Sequence, residues 1–548
     1  MIELLIAKLP GKPGDLLRKY GNAIGMVIKY SYAVLVTALA AYGMQEVRYF
    51  IIGLIELFAI FMVTDALIEK HPNIAVFLNR ALFIAYHIET LFLYFSCSYV
   101  TLIMMTNVES LDDLSDKFPM YIFWFVLLFL ATIMPMGKVG RWKSHTGMSF
   151  VSLALVGELV LTWSFGAGYS PFWAYYSLLD QKFSDMKLDK AVGEVPVEEA
   201  ETAFYKTEVA DEIKKPASLP DQPNVILIFT EGLSESLLET DYDLMPDVKA
   251  WQDKSLSFDN YYNCSFATYR GLIDQLYSGH QHNNFDTSSL PSLQSLMKEA
   301  GYTTAFVNAE PKNEDFTAYL ESFGFDSLVT DESLAVESAH SISDKNTYDL
   351  LFETAEDLHK QGQPFLTTVY TFGTHLNLPS PDETYGDGSS AYLNKYWNLN
   401  CQFASFMAKF EASDMAEDTI VIFTADHSTF TDNDFHRTFS SSGRVCTDLD
   451  TVPFFIYYKG VEAQSIDAGG RNSLDLAPTI LDLLDISGEN AFLGTSLFGE
   501  SVSSYETTFY DPTYILSTKG GAVTDLTAEE KNTFLDGLGQ YFALKAAS

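Results

Sequence analysis

The sequence predicts an α/β chain in two parts: an N-terminal transmembrane domain of five helices, and an outer α/β sandwich with a mainly parallel sheet. Three observations predict it. Five long apolar stretches crowd the first third of the 548 residues, a polar segment with four prolines follows, and after Asn224 short β-branched and aromatic runs alternate with helix-length segments. These shifts divide the chain into residues 1–180 for the membrane part, 181–223 for a linker and 224–548 for the outer domain. Acidic side chains outnumber basic ones 72 to 34, a formal charge of −38, which argues against nucleic acid as a partner because its phosphates would be repelled. An aromatic content of 14% excludes a disordered chain, and four cysteines exclude a small disulfide scaffold.

The apolar stretches cover about 21–43, 50–68, 74–105, 118–136 and 148–168. Each is long enough, at ~1.5 Å per residue, to cross a hydrocarbon core of roughly 30 Å. Their connections carry an uneven charge. Lys8, Lys12, Arg18 and Lys19 precede the first span, Lys70 follows the second with Arg80 close behind, and Lys138, Arg141 and Lys143 follow the fourth. The other side carries Glu46 and Arg48, then Glu109, Asp112, Asp113 and Asp116. The positive-inside rule puts the N-terminus in the cytoplasm, and an odd number of spans puts everything after Gly168 outside. Trp173, Tyr175 and Tyr176 suit an interfacial aromatic belt. Glu56, Asp65, His87, Glu89 and Glu158 fall within spans, where a charge costs several kcal/mol. They either serve a function or pair near helix ends, and the sequence leaves both open.

In the outer domain, candidate buried strands are 225–229, 303–308, 366–371, 419–424 and 452–458, with helices at about 290–300, 348–361 and 392–410. Continuous apolar strands alternating with helices imply a parallel sheet covered on both faces, whose ligands bind beyond the carboxyl ends of the strands. Those ends are informative. NVILIFT runs into Glu231-Gly232, TIVIFTA into Asp426-His427-Ser428, and VYTFG into Thr374-His375, with His436 nine residues beyond His427. A lone acid or imidazole at a strand tip is ordinarily a cap or a surface group. Several converging on one edge suit a divalent cation, zinc ahead of manganese. Thr268 opens a segment with helical apolar spacing that ends at Gly279. By itself it reads as a helix cap; beside a cation at a helix N-terminus its hydroxyl becomes a candidate nucleophile. His280 and His282 read as solvated loop residues, and His340 and His359 carry no signal.

NVILIFTEG, the Thr268 helix, GTHLNLP, TADHS and SLDLAPTILDLLDI together resemble the alkaline phosphatase/sulfatase superfamily. Five spans ahead of such a domain are similar to the bacterial lipid A phosphoethanolamine transferases and the lipoteichoic acid synthases. The resemblance implies Glu231, Thr268, Asp426 and His427 as metal ligands, Thr268 as nucleophile, and His375 and His436 as histidines contacting the transferred group or a second metal. It further implies a multi-pass protein of the bacterial cytoplasmic (inner) membrane with its catalytic domain on the outer, periplasmic side. Such an enzyme takes a head group from a phospholipid donor through a phosphothreonine-type intermediate and passes it to an envelope lipid or glycan. Two departures bear on the substrate. Cys264-Ser265-Phe266-Ala267-Thr268 lacks the Cys-x-Pro-x-Arg of formylglycine sulfatases. Ser322-Phe323-Gly324-Phe325-Asp326 is kept, but Glu314-Asp315-Phe316 replaces the upstream Trp-Asn-Arg of lipoteichoic acid synthases, which counts against a phosphoglycerol pocket, while the phosphoethanolamine transferases usually carry several outer disulfides; the head group stays open, with phosphoethanolamine placed ahead of phosphoglycerol. Cys264, Cys401 and Cys446 allow at most one outer disulfide. A membrane-anchored phosphodiesterase or sulfatase-like hydrolase and a non-catalytic envelope protein are the alternatives.

Overall fold

A computed structural model describes residues 12–106, 118–140, 143–336, 340–375, 382–439, 449–500, 507–510 and 514–548. Lys8, Glu109, Asp112, Asp113, Asp116, Arg141 and Cys446 lie outside the described residues. The chain forms two compact units: residues up to Lys182 with Thr431–Thr438, and Phe183–Phe430 with Phe439–Ser548.

The first unit is helical: α1 (Lys12–Gly43), α2 (Val47–Leu67), α3 (Pro72–Ser96), α4 (Phe118–Thr132), α5 (Ser144–Phe165) and the start of α6 (Pro171–Glu194). Four of these, over Tyr20–Gly43, Val47–Leu67, Pro72–Ser96 and His145–Phe165, are long and apolar enough to cross a membrane. The fourth expected span is shorter than predicted. Its helix has 15 residues and stops at Thr132, three residues before Pro135, whose missing N–H and ring oppose continuation. The third also ends early, because Cys97 turns left-handed at φ 54°.

The acids within these helices hold backbone together. Glu56 accepts hydrogen bonds from the Ser170 hydroxyl and, at 3.4 Å, from Phe172 N, so it caps the first turn of α6; the same hydroxyl lies 3.3 Å from Glu158 Oε1. Asp65 Oδ1 accepts from Val139 N and Gly140 N at 2.7 and 2.9 Å, while its Oδ2 stands 3.2 Å from Lys138 Nζ. Glu89 Oε2 accepts from Val100 N at 2.9 Å, where the chain leaves α3. His87 Nδ1 lies 2.7 Å from the Phe83 carbonyl oxygen, with its ring stacked on Tyr32.

The second unit is built on an eight-stranded sheet of β1 (Asn224–Thr230), β2 (Leu256–Asp259), β3 (Thr303–Val307), β4 (Ser327–Val329), β5 (Phe365–Tyr370), β6 (Thr419–Ala425), β7 (Phe454–Tyr457) and β8 (Gln464–Asp467), in the order β4-β3-β5-β1-β6-β7-β2-β8. From β4 to β6 every pairing is parallel, whereas β7 runs antiparallel to β6 and to β2. β1 and β6 are buried along their whole length, as strands covered on both faces must be. The five expected strands are present; β4 and β8 are short edge strands and β2 a short strand between β7 and β8, all with weak patterns. A three-stranded antiparallel sheet of β9 (Thr507–Tyr510), β10 (Tyr514–Ser517) and β11 (Thr524–Asp525) adds to the C-terminal side of the sequence.

Residues 181–223 differ from the expected linker. They continue α6 to Glu194 and form a second helix, Val197–Phe204. Leu188, Ala200 and Phe204 are buried in one core with Leu538, Tyr541 and Phe542 of the C-terminal helix Ala528–Ala547. The acidic run Glu198, Glu199 and Glu201 is the solvent face of an amphipathic helix, which explains why it reads as a linker. Phe204→Ala should therefore cost about 3 kcal/mol, as buried aromatic truncations do, read as a lower unfolding midpoint of the full chain. A linker phenylalanine would leave the midpoint unchanged.

Candidate active site

β1 and β6 are neighbours in register, Thr230 opposite Ala425, so the residues that follow them leave the sheet side by side. Those residues are Glu231 on one strand and Asp426-His427 on the other. His427 Nε2 stands 3.4 Å from Glu231 Oε1 and 3.7 Å from Asp426 Oδ2. One ligating atom from each of the three lies within 4.8 Å of the others, and all three residues are buried. The surroundings orient them. Gly232 N and His427 N donate to Asp426 Oδ1 at 2.9 and 2.7 Å, and His427 Nδ1 lies 2.7 Å from the Ser428 carbonyl oxygen. The contact at Nδ1 leaves Nε2 on the side of the carboxylates, and metal-binding histidines are commonly oriented by such a hydrogen bond at their other nitrogen.

Thr268 is the first residue of α7 (Thr268–Tyr277), and its Oγ1 donates to Glu231 Oε2 at 2.7 Å. The chain reaches that position through Ala267 at φ 76°, ψ 140°, a region nearly confined to glycine. A strained residue immediately before the hydroxyl marks a backbone built to present it. α7 then runs against the tip of β6. Gln275 Nε2 donates to the carbonyl oxygens of Ala425 and Asp426, each at 3.0 Å. A Cβ at Gly271 would come within 2.2 Å of the Asp426 carbonyl oxygen, so only glycine permits this approach.

The charges are interdependent. Burial would raise Glu231, yet the hydrogen bond and charge of His427, with His375 and Thr268, outweigh it and hold the carboxyl below its ordinary range. Burial and the Glu231 charge push Asp426 up, against the opposing pull of His427 and two N–H groups. His427 is pushed up despite burial, because two carboxylates face it. Asp426 Oδ2 is buried and makes no hydrogen bond. Two carboxylates, an imidazole, a hydroxyl and an orphaned oxygen converging on one point fit a divalent cation.

Sequence reading thus brings together Glu231, Thr268, Asp426 and His427. His375 follows β5, stacks on Phe372 at 4.5 Å, and exerts its charge on Glu231 and Glu310. His436 lies on the helix Asn433–Thr438, which groups with the helical unit, and its carbonyl oxygen accepts from Gln45 Nε2 at 3.4 Å. Cys264 is fully buried behind α7, with Sγ 3.9 Å from Asp274 Oδ2, and neither it nor Cys401 is in a disulfide. One acidic residue was missed. Glu310 follows β3 and accepts from Tyr370 Oη and Asn313 Nδ2, both at 3.1 Å; burial pushes its carboxyl up, partly offset by Asn313 and His375. Its signal was the same strand-end rule, applied to three strands and not to β3.

Residues 223–486 match the Sulfatase family. Phosphoglycerol transferase I of Escherichia coli (strain 536 / UPEC) is 24% identical over 337 residues, 55% of this chain and 42% of that protein. The chain therefore spans about two-fifths of the length of the curated relatives it matches. Among solved structures, the lipoteichoic acid synthase LtaP from Listeria monocytogenes superposes with a TM-score of 0.51 at 18% identity, covering 64% of this chain and 97% of that one. A Vibrio parahaemolyticus protein of the alkaline phosphatase superfamily gives 0.50 at 19% identity, covering 62% and 89%. Both likenesses concern the fold.

Gly271→Ala should displace α7 from β6 and carry Thr268 away from Glu231. A shift near 1 Å at a reacting group lowers turnover by about 10²-fold, and we expect that loss here together with weaker retention of divalent metal. Metal content and rate measured on the same preparation check it.

Proposed function

We propose that the protein is a membrane-anchored phosphotransferase that moves a phospho head group from a phospholipid to an envelope lipid or glycan on the outer face of a bacterial cytoplasmic membrane. The single observation behind this reading is the Thr268 hydroxyl, hydrogen-bonded at 2.7 Å to an acid of a buried metal-type cluster. Glu231, Asp426, His427 and Thr268 would hold the cation, zinc ahead of manganese. A cation held there supplies positive charge beside the threonine hydroxyl and the phosphoryl oxygens.

The chain's own residues do the rest. Glu231 fixes the direction of Thr268 Oγ1 and would take its proton as Oγ1 forms a bond to phosphorus and the bond from phosphorus to the diacylglycerol oxygen breaks, returning that proton to Oγ1 when the phosphothreonine ester is displaced. The N-terminal end of α7, where Thr268 is the first residue, carries the positive end of the helix dipole and suits a phosphoryl oxygen. His375 would give a proton to the departing oxygen, then take one from the acceptor hydroxyl that displaces the phosphothreonine ester. Phosphoethanolamine is the favoured head group, because Glu310 sets a carboxylate beside His375 where an ammonium could be received. Phosphoglycerol is the second reading, supported by the name of the Escherichia coli relatives. The five apolar stretches, with the N-terminus cytoplasmic, would hold the site at the bilayer surface.

Thr268→Ala should abolish transfer, while Thr268→Ser keeps a slower reaction. Incubating the purified protein with phosphatidylethanolamine or phosphatidylglycerol, each labelled in its head group, should leave label on wild-type protein at Thr268 and release diacylglycerol. Turnover by Thr268→Ala would sink the nucleophile, and label appearing only as free head group would make the protein a hydrolase. A reporter joined after Gly168 should be active only outside the cytoplasm.

A further inference from the structure

Helix α6 presents large apolar side chains on the side opposite its packed face. Ala174, Gln181, Ser184 and Leu188 are buried along one side, and Leu188 belongs to the core that holds Tyr541 and Phe542. Tyr176, Leu179, Phe183 and Met186, spaced three, four and three residues apart, line the other side, and each is between 56% and 67% exposed. A helix on the surface of a protein in water needs one apolar face. This one has a second.

The rest of the chain shows what such a stripe means. Large apolar side chains are exposed throughout the membrane-length helices, among them Leu153, Leu159 and Trp163 of α5. Past Met186, the only exposed ones among the described residues are Val197, Tyr242, Phe285 and Val523, widely separated in sequence. Single residues of that kind are ordinary on a surface in water, whereas a contiguous row marks a partner. The exposure pattern of the apolar helices resumes on α6, which starts at Pro171 one short turn after α5 ends at Phe165, and it stops at Met186.

We infer that Tyr176, Leu179, Phe183 and Met186 form an interfacial anchor, seated in the outer leaflet of the membrane proposed above, with α6 lying along its surface. The occupant is lipid because the stripe continues the exposed apolar surface of α5 along the chain. The helix lies flat for a geometric reason. Tyr176 to Met186 covers about 15 Å of helix axis at ~1.5 Å per residue, while the head-group layer on either side of the hydrocarbon core is only about 5–7 Å deep. Upright, α6 would leave Phe183 and Met186 in water; lying down, it brings all four side chains to one depth. Charge does not supply the attraction, since Lys182, Lys187 and Lys190 on α6 stand against Asp180, Asp185, Asp189 and Glu194. The inference rests on the membrane reading and is independent of which head group is transferred.

Full-length protein in vesicles of phosphatidylethanolamine and phosphatidylglycerol, carrying the photoreactive residue benzoylphenylalanine in place of Phe183 or Met186, tests it by mass spectrometry after illumination. Both side chains are exposed, so the label leaves the packed face of α6 intact. Each position should give lipid adducts, as the same label in place of Leu159 on α5 should, and the label in place of Tyr242 should give none. Molar salt, which screens charge, should leave the adducts at Phe183 and Met186 unchanged. Adducts to a second protein chain would make the stripe a protein interface, and no adduct beside a lipid-labelled Leu159 would place it in water; either overturns the anchor. Loss of the adducts in salt overturns it equally, because the contact would then be driven by charge. Absence of lipid adducts at Leu159 as well would remove the membrane reading itself, so the two failures are distinguishable.

Discussion

The close approach of α7 to the tip of β6 is the constraint on which the site depends. Gly271 lies against the Asp426 carbonyl, where even a methyl group would collide, and Gln275 locks the helix there through two carbonyl oxygens. Parallel pairing of β1 with β6 then sets Glu231 beside Asp426, and the helix start sets Thr268 beside Glu231. No residue of this set is near another in sequence except the Asp426-His427 pair. Backbone packing, supplied by one glycine and one glutamine, makes them neighbours.

Buried acids serve two ends in this chain, and their partners tell them apart. Glu56, Asp65 and Glu89 each accept a backbone N–H from a segment that would otherwise end with unpaired donors, so their charge is spent on holding helix ends and connections. Glu231 accepts from the Thr268 hydroxyl, and it and Asp426 both face the His427 imidazole, at 3.4 and 3.7 Å. The first kind closes a local structure; the second converges on a point in space.

The parallel core of the sheet was legible because β1, β5 and β6 are continuous apolar runs, and the strand-end rule led from them to Glu231, His375 and Asp426-His427. Legibility failed where the determining feature has no side-chain pattern. Gly271 is one glycine among 33, and only the proximity of a carbonyl oxygen gives it meaning. Ala267 looks like an ordinary helix former until its positive φ is seen. The second half of α6 and the helix Val197–Phe204 were read as linker because charged outer faces dominated their composition, while Leu188 and Phe204 pack inward.

The electrostatics of the site also decide what it can accept. Glu231, Asp426 and Glu310 bring three carboxyl groups to one edge of the sheet, in a chain with more than twice as many acids as bases. A phosphodiester carries negative charge, so a cleft of this composition would turn it away if its own side chains were the only charges present. His427 and His375 supply positive charge only while protonated, and His427 faces the two ligand carboxylates rather than open space. A bound divalent cation reverses the local sign of the field. The side chains of Glu231, Asp426, His427 and Thr268 that would hold the cation therefore also explain how an acidic protein could receive an anionic lipid head group, with binding and chemistry resting on one charge.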